Sequence, residues 1–202
     1  MLQPGKVLSS QIIGNEIVFN CENDVTLTLS FPETSVIRMR LSEVKDPRPS
    51  IIVLLGYVKE VLEETVFTLS EDSEAYRIST DKLKVTVGKQ DLGIRCFDMQ
   101  DRCFFKTAKS APIKIGGGSL LRFDMDQDEH FYGFGFQRKT LDARGHKLTF
   151  TRNYRWQEAT TPYFLSSAGY AFFQRIPLTR PLTLPAMTVI PFIQGAVMPI
   201  SL

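Results

Sequence analysis

A two-residue side-chain repeat runs through the first half of the chain and constrains its fold more than any other feature. "NEIVFNC" (15–21), "VTLTLSF" (25–31), "SVIRMRLS" (35–42), "ETVFTLS" (64–70), "AYRIST" (75–80) and "KLKVTVGK" (82–89) each carry apolar residues at alternate positions. Successive side chains of a strand point to opposite faces, so this spacing predicts strands with one buried face. Clusters rich in Asn, Asp, Pro and Ser separate them: "CENDVT" (21–26), "FPETS" (31–35), "KDPRPS" (45–50) and "LSEDSEAY" (69–76). These residues favour turns. Helical periodicity is weak, with "YVKEVLEE" (57–64) the best candidate. The expectation is an all-β, antiparallel protein, either a sandwich or a barrel.

Length and charge narrow the function. A chain of 202 residues makes one domain, with room for an appendage. With 24 basic and 22 acidic residues the net charge is +2, too balanced for a nucleic acid or an anionic membrane as partner. Cys21, Cys96 and Cys103 are odd in number and form no CxxC pair, which argues against a disulfide framework or a zinc site. Three reduced thiols point to the cytoplasm, and "MLQPGKVLSS" lacks the apolar core of a secretory signal.

Several chemical motifs begin and then fail. Asp124, Asp126 and Asp128 have the opening spacing of a calcium loop, but Glu129 and Gly135 stand where Gly and Glu are required. A solvated acidic turn is expected instead. "GGG" (116–118) lacks the Lys and Ser/Thr of a phosphate loop and reads as a hairpin turn. "GFG" (133–135) lacks the third glycine of a dinucleotide fingerprint, with Arg138 in its place. His130 and His146 are the only histidines, and no G-x-S-x-G elbow accompanies them. No cofactor, no metal and no catalytic residue is assigned.

From about residue 120 the sequence becomes dense in aromatics, glycine and charge. The stretch "EHFYGFGFQRKTLDARGHKLTFTRNYRWQEATTPYFLSSAGYAFF" (129–173) resembles the N-terminal domain of glycoside hydrolase family 31, the α-glucosidase and α-xylosidase family. Glu129, Phe131, Tyr132, Gly133, Gly135, Arg144, Gly145, Pro162, Phe164, Leu165, Ser166, Ser167, Gly169, Tyr170 and Phe172 fall in step with its pattern. Earlier, "SVIRMRLS" and "ISTDKLKVTVGKQDLGIRCFDMQDR" resemble its strands. The resemblance implies a β-sandwich of the galactose mutarotase type. It also implies a following (β/α)8 barrel that carries both catalytic aspartates of a retaining α-glycosidase. A barrel needs roughly 250 residues, so the chain is expected to stop before it and to be inactive alone. Two positions depart from the pattern: Phe136 replaces a Glu, and Asn153 stands where many members have Asp on a loop that reaches the substrate pocket. The resemblance makes Arg152, Asn153 and Trp156 the candidate substrate-binding residues. Asn153 reads equally as a sugar contact or a turn residue, and Trp156 reads first as a packing residue and second as a platform for a sugar ring.

The sandwich is assigned to residues 1–173, and residues 174–202 do not fit the family. Residues 181–202 contain no Asp, Glu, Lys or Arg, and Pro177, Pro181, Pro185, Pro191 and Pro199 punctuate the tail. Proline at that density opposes a membrane helix, which needs about 20 uninterrupted residues, and interrupts every candidate strand. Read one base earlier, with wobble bases chosen freely, the codons from Pro181 permit "TFDFASDDRYTVHTGGGDADF". That peptide has the family's F-D-F and Gly-Gly-x-x-D features in order. The tail is therefore expected to be an out-of-frame, non-native sequence.

The function expected is that of a non-catalytic domain of an α-glucosidase-like hydrolase. It supports the barrel and lends a loop to a pocket for an α-glycoside or oligosaccharide. A freestanding carbohydrate-binding sandwich is the alternative. A mutarotase-type epimerase ranks last, since it needs a paired acid and base.

Overall fold

The computed structural model describes residues 3–42, 65–108, 113–114, 120–135, 141–146, 160–174 and 187–191. Sixteen strands are present among them: β1 (Val7–Ile13), β2 (Glu16–Cys21), β3 (Thr26–Glu33), β4 (Val36–Ser42), β5 (Thr68–Glu71), β6 (Ala75–Ser79), β7 (Lys84–Gly88), β8 (Ile94–Phe97), β9 (Cys103–Thr107), β10 (Ile113–Lys114), β11 (Leu120–Leu121), β12 (Phe123–Asp124), β13 (Phe131–Gly135), β14 (Thr160–Ser166), β15 (Tyr170–Gln174) and β16 (Met187–Pro191). A single 3-10 turn, Glu22–Asp24, joins β2 to β3.

Two antiparallel sheets account for all but β10 and β11. The larger has the order β1-β2-β3-β4-β16-β15-β14-β13, and the smaller β12-β9-β8-β7-β6-β5. The alternation dictates how they meet. Ile17 and Phe19 of β2, Leu27, Leu29 and Phe31 of β3, and Ile37, Met39 and Leu41 of β4 all face inward and are buried. Tyr76 and Ile78 of β6, Val85 and Val87 of β7, and Ile94 and Cys96 of β8 answer them from the small sheet. Ring contacts bridge the two layers, with centroids 5.0 Å apart for Phe19–Tyr76 and 5.6 Å for Phe105–Tyr170. Such face-to-face packing of two sheets is a β-sandwich.

Strand boundaries differ from the sequence expectation where local contacts intervene. In "ETVFTLS" pairing begins only at Thr68, because Val66 points to solvent and Phe67 turns onto Phe31. β3 runs on to Glu33 through a register shift between Ser30 and Glu33. Pro32 lies within that shift, where an absent ladder N–H is tolerated. The turn in "LSEDSEAY" shrinks to residues 72–74, since Asp72 Oδ1 accepts the backbone N–H groups of Glu74 and Ala75 at 2.8 Å each. β10 and β11 pair antiparallel on either side of the "GGG" segment, which itself lies outside the described residues. So do "KDPRPS" and "YVKEVLEE".

The tail holds one correction. Its prolines do not interrupt every strand: Met187–Pro191 fits between Pro185 and the end of β16. It pairs with β15 over its whole length and with β4 at Met187, Thr188 and Val189 only. Pro191 therefore lies beyond the β4 ladder, at a strand end where its missing N–H matters least.

Candidate functional site

The glycine- and aromatic-rich stretch forms the β13–β14–β15 end of the large sheet. Its inward side is a layer of rings. Phe164 stacks on Phe134 at 5.1 Å and on Phe172 at 5.2 Å, and meets Phe131 edge-on at 5.5 Å. Gly133 of β13 has φ +117°, and a Cβ there would lie 3.0 Å from the Tyr163 carbonyl oxygen and 3.2 Å from Phe164 Cα. Only glycine allows this backbone approach and this dihedral together.

Two carboxylates fix the rim of that layer. Glu129 is buried and precedes β13. It accepts a hydrogen bond from the Ser166 hydroxyl through Oε1 and from the Asp126 N–H through Oε2 at 3.0 Å. The Arg144 guanidinium donates to the backbone carbonyls of Glu129 and, at 3.1 Å, Asp126. Burial, reinforced by the nearby Glu129 charge, pushes the Tyr170 phenol above its ordinary pKa and keeps it protonated. Asp142 is the second anchor. Its Oδ1 accepts the N–H groups of Arg144 at 3.0 Å and Phe131 at 3.2 Å, and its Oδ2 lies 2.6 Å from His130 Nδ1. The Arg144 N–H first, then the His130 ring, hold this carboxyl down at about 2. The Ser167 hydroxyl accepts the His130 N–H at 2.9 Å. Among the described residues these hydrogen bonds clamp the start of β13 to the end of β14 and to the 142–144 turn.

Arg152, Asn153 and Trp156 lie outside the described residues, as does Phe136. The described structure reaches His146 on one side of them and resumes at Thr160, the first residue of β14. The family pattern includes Glu129 and Arg144 but not Asp142. Its signal was a short acidic side chain two residues before an Arg-Gly pair, the spacing of a side-chain-to-backbone turn. His130 is half-buried against Asp142 and His146 is exposed. The aspartates of the failed calcium motif, Asp124, Asp126 and Asp128, are exposed, and Asp126 pairs with Lys106 at 3.0 Å. Among the described residues no group of three or more His, Cys, Asp or Glu side chains could hold a metal ion.

The thiols are unpaired. Cys21 and Cys96 are buried and Cys103 is half-buried. Burial pushes the Cys21 thiol up to about 11 and raises those of Cys96 and Cys103 as well, so none is an activated nucleophile. An open groove elsewhere, between the β3–β4 turn and the β6–β7 turn, is lined by Glu33, Thr34, Val66, Phe67, Thr80 and Asp81. Its buried hydroxyl is already committed: Thr80 Oγ1 donates to the Thr34 carbonyl at 2.6 Å and accepts the Lys82 and Leu83 N–H groups. No described helix is long and apolar enough to cross a membrane.

Comparison with known proteins places this geometry. Residues 26–173 match the family model described as the glycosyl hydrolase 31 N-terminal galactose mutarotase-like domain. Alpha-glucosidase 2 of Bacillus thermoamyloliquefaciens is 25% identical over 132 residues, which is 65% of this chain and 16% of that protein. A Flavobacterium johnsoniae family 31 dextranase, solved with isomaltotriose, superposes with a TM-score of 0.74 at 18% identity, over 96% of this chain and 27% of its own. A family 31 α-xylosidase from a soil metagenome, solved with xylose, gives 0.72 at 14% identity, over 91% of this chain and 32% of its own. The chain thus spans between about a sixth and a third of the length of these relatives. Its two antiparallel sheets and the match over residues 26–173 lead to one conclusion: the chain belongs to the glycosyl hydrolase 31 N-terminal, galactose mutarotase-like domain family.

Proposed function

We propose that this chain acts as the non-catalytic N-terminal domain of an α-glucosidase-like glycoside hydrolase. It supports a (β/α)8 barrel outside this sequence and lends the loop bearing Arg152, Asn153 and Trp156 to a pocket for α-glycosides. The observation that carries this reading is the match over residues 26–173 to a domain that makes up a minor share of each relative. The clamp chemistry agrees with it. Glu129 and Asp142 spend acceptor positions on Ser166, His130 and backbone N–H groups, so they are committed to holding the start of β13 against the end of β14 and the 142–144 turn. Hydrolysis by a pair of carboxylates requires a free acid and a free nucleophile, which this rim does not offer. Cytoplasmic location is part of the proposal and is supported by three free thiols.

Calorimetric titration of the purified chain with maltose, isomaltose and xylosyl oligosaccharides tests this. The expected result is no saturable heat, because the barrel supplies most sugar contacts. Saturable binding by the chain alone would instead favour a freestanding carbohydrate-binding module.

The tail reading joins the proposal: residues 174–202 are translated out of frame. The family match ends at Phe173, and no charged residue follows Arg180. Sequencing the coding DNA through and beyond codon 202 decides it. An open, family-like continuation in the shifted frame supports the reading, and its absence ends it.

A further inference from the structure

We draw no further inference here: the strongest candidate, the exposed apolar side chains Leu8, Ile12 and Ile13 of the edge strand β1 of the large sheet, carries no proposal because nothing in the structure shows what covers them.

Discussion

The β1–β4 half of the large sheet and its β13–β15 end are built on the same plan and held by different means. In β2, β3 and β4 alternate residues from Ile17 to Leu41 are apolar and buried, and their partners across the sandwich are apolar as well. Burial is non-directional, so the strands of this half need no special dihedral, and its positive-φ residues Gly14, Asn23 and Asp24 are confined to the turns between β1 and β2 and between β2 and β3. At the other end β13 carries a register shift between Gly133 and Gly135, Phe134 adopts φ +65°, and two carboxylates bind specific backbone N–H groups. That end is held by directional contacts, each of which demands a particular residue. The difference teaches that a sheet end built on glycines and stacked rings is fixed by polar clamps, while the β1–β4 half relies mainly on buried area.

Substitutions can break or sharpen this contrast. The largest effect is expected from Phe164→Ala, which removes a ring touching Phe131, Phe134, Phe172 and Tyr170. Equilibrium denaturation should show a loss of about 3–5 kcal/mol. Leu29→Ala in the other half should lose a comparable ~2–5 kcal/mol, because both ends share the apolar core. Were Leu29→Ala nearly neutral, burial would not be what holds β1–β4. Next comes Gly133→Ala. The Cβ meets backbone atoms of Tyr163 and Phe164 and the dihedral is left-handed, so a loss of about 1–3 kcal/mol is expected from urea melts. Gly14→Ala is the control: it too has positive φ, but nothing lies within 4 Å, so it should lose less.

Glu129→Gln follows. It keeps the volume and one carbonyl acceptor but weakens the charge-assisted bonds to Ser166 and Asp126 N–H, for about 1–2 kcal/mol. Asp142→Asn sharpens the comparison through pH. Its folded carboxyl sits near 2, below the unfolded value, so its contribution is complete above the unfolded pKa and fades as pH falls through the folded one. The gap in melting temperature between wild type and Asp142→Asn should therefore be widest near neutrality and close between about pH 5 and pH 2. A constant gap would mean the carboxylate charge is irrelevant. The smallest effect is expected from Lys84→Ala, which breaks an exposed pair with Asp101 and should cost under ~1 kcal/mol.

The same contrast explains what was legible in the sequence. Alternation located β2, β3, β4, β6 and β7 because burial of one strand face writes itself into composition at every second position. Strands β1 and β8 were harder. In β1, "VLSSQII" lies at the sheet edge and stays largely exposed, so no clean period survives. In β8, Ile94 and Cys96 alternate, but the strand is four residues long. The clamp was only half legible. Glu129 and Arg144 belong to the family pattern, whereas Asp142 acts on backbone N–H groups and leaves only the weak signal of an acidic residue two positions before Arg144-Gly145. Met187–Pro191 was hidden by its flanking prolines, which argue against a strand unless the ladder on one side has already ended.

Under the function proposed, this sandwich serves a glycosidase without performing its chemistry. The most direct measurement is glucose release from maltose by the purified chain. The account predicts no release above buffer at any pH. Steady release that is abolished by substituting Glu129 or Asp142 would contradict it and return catalysis to the rim of the sandwich.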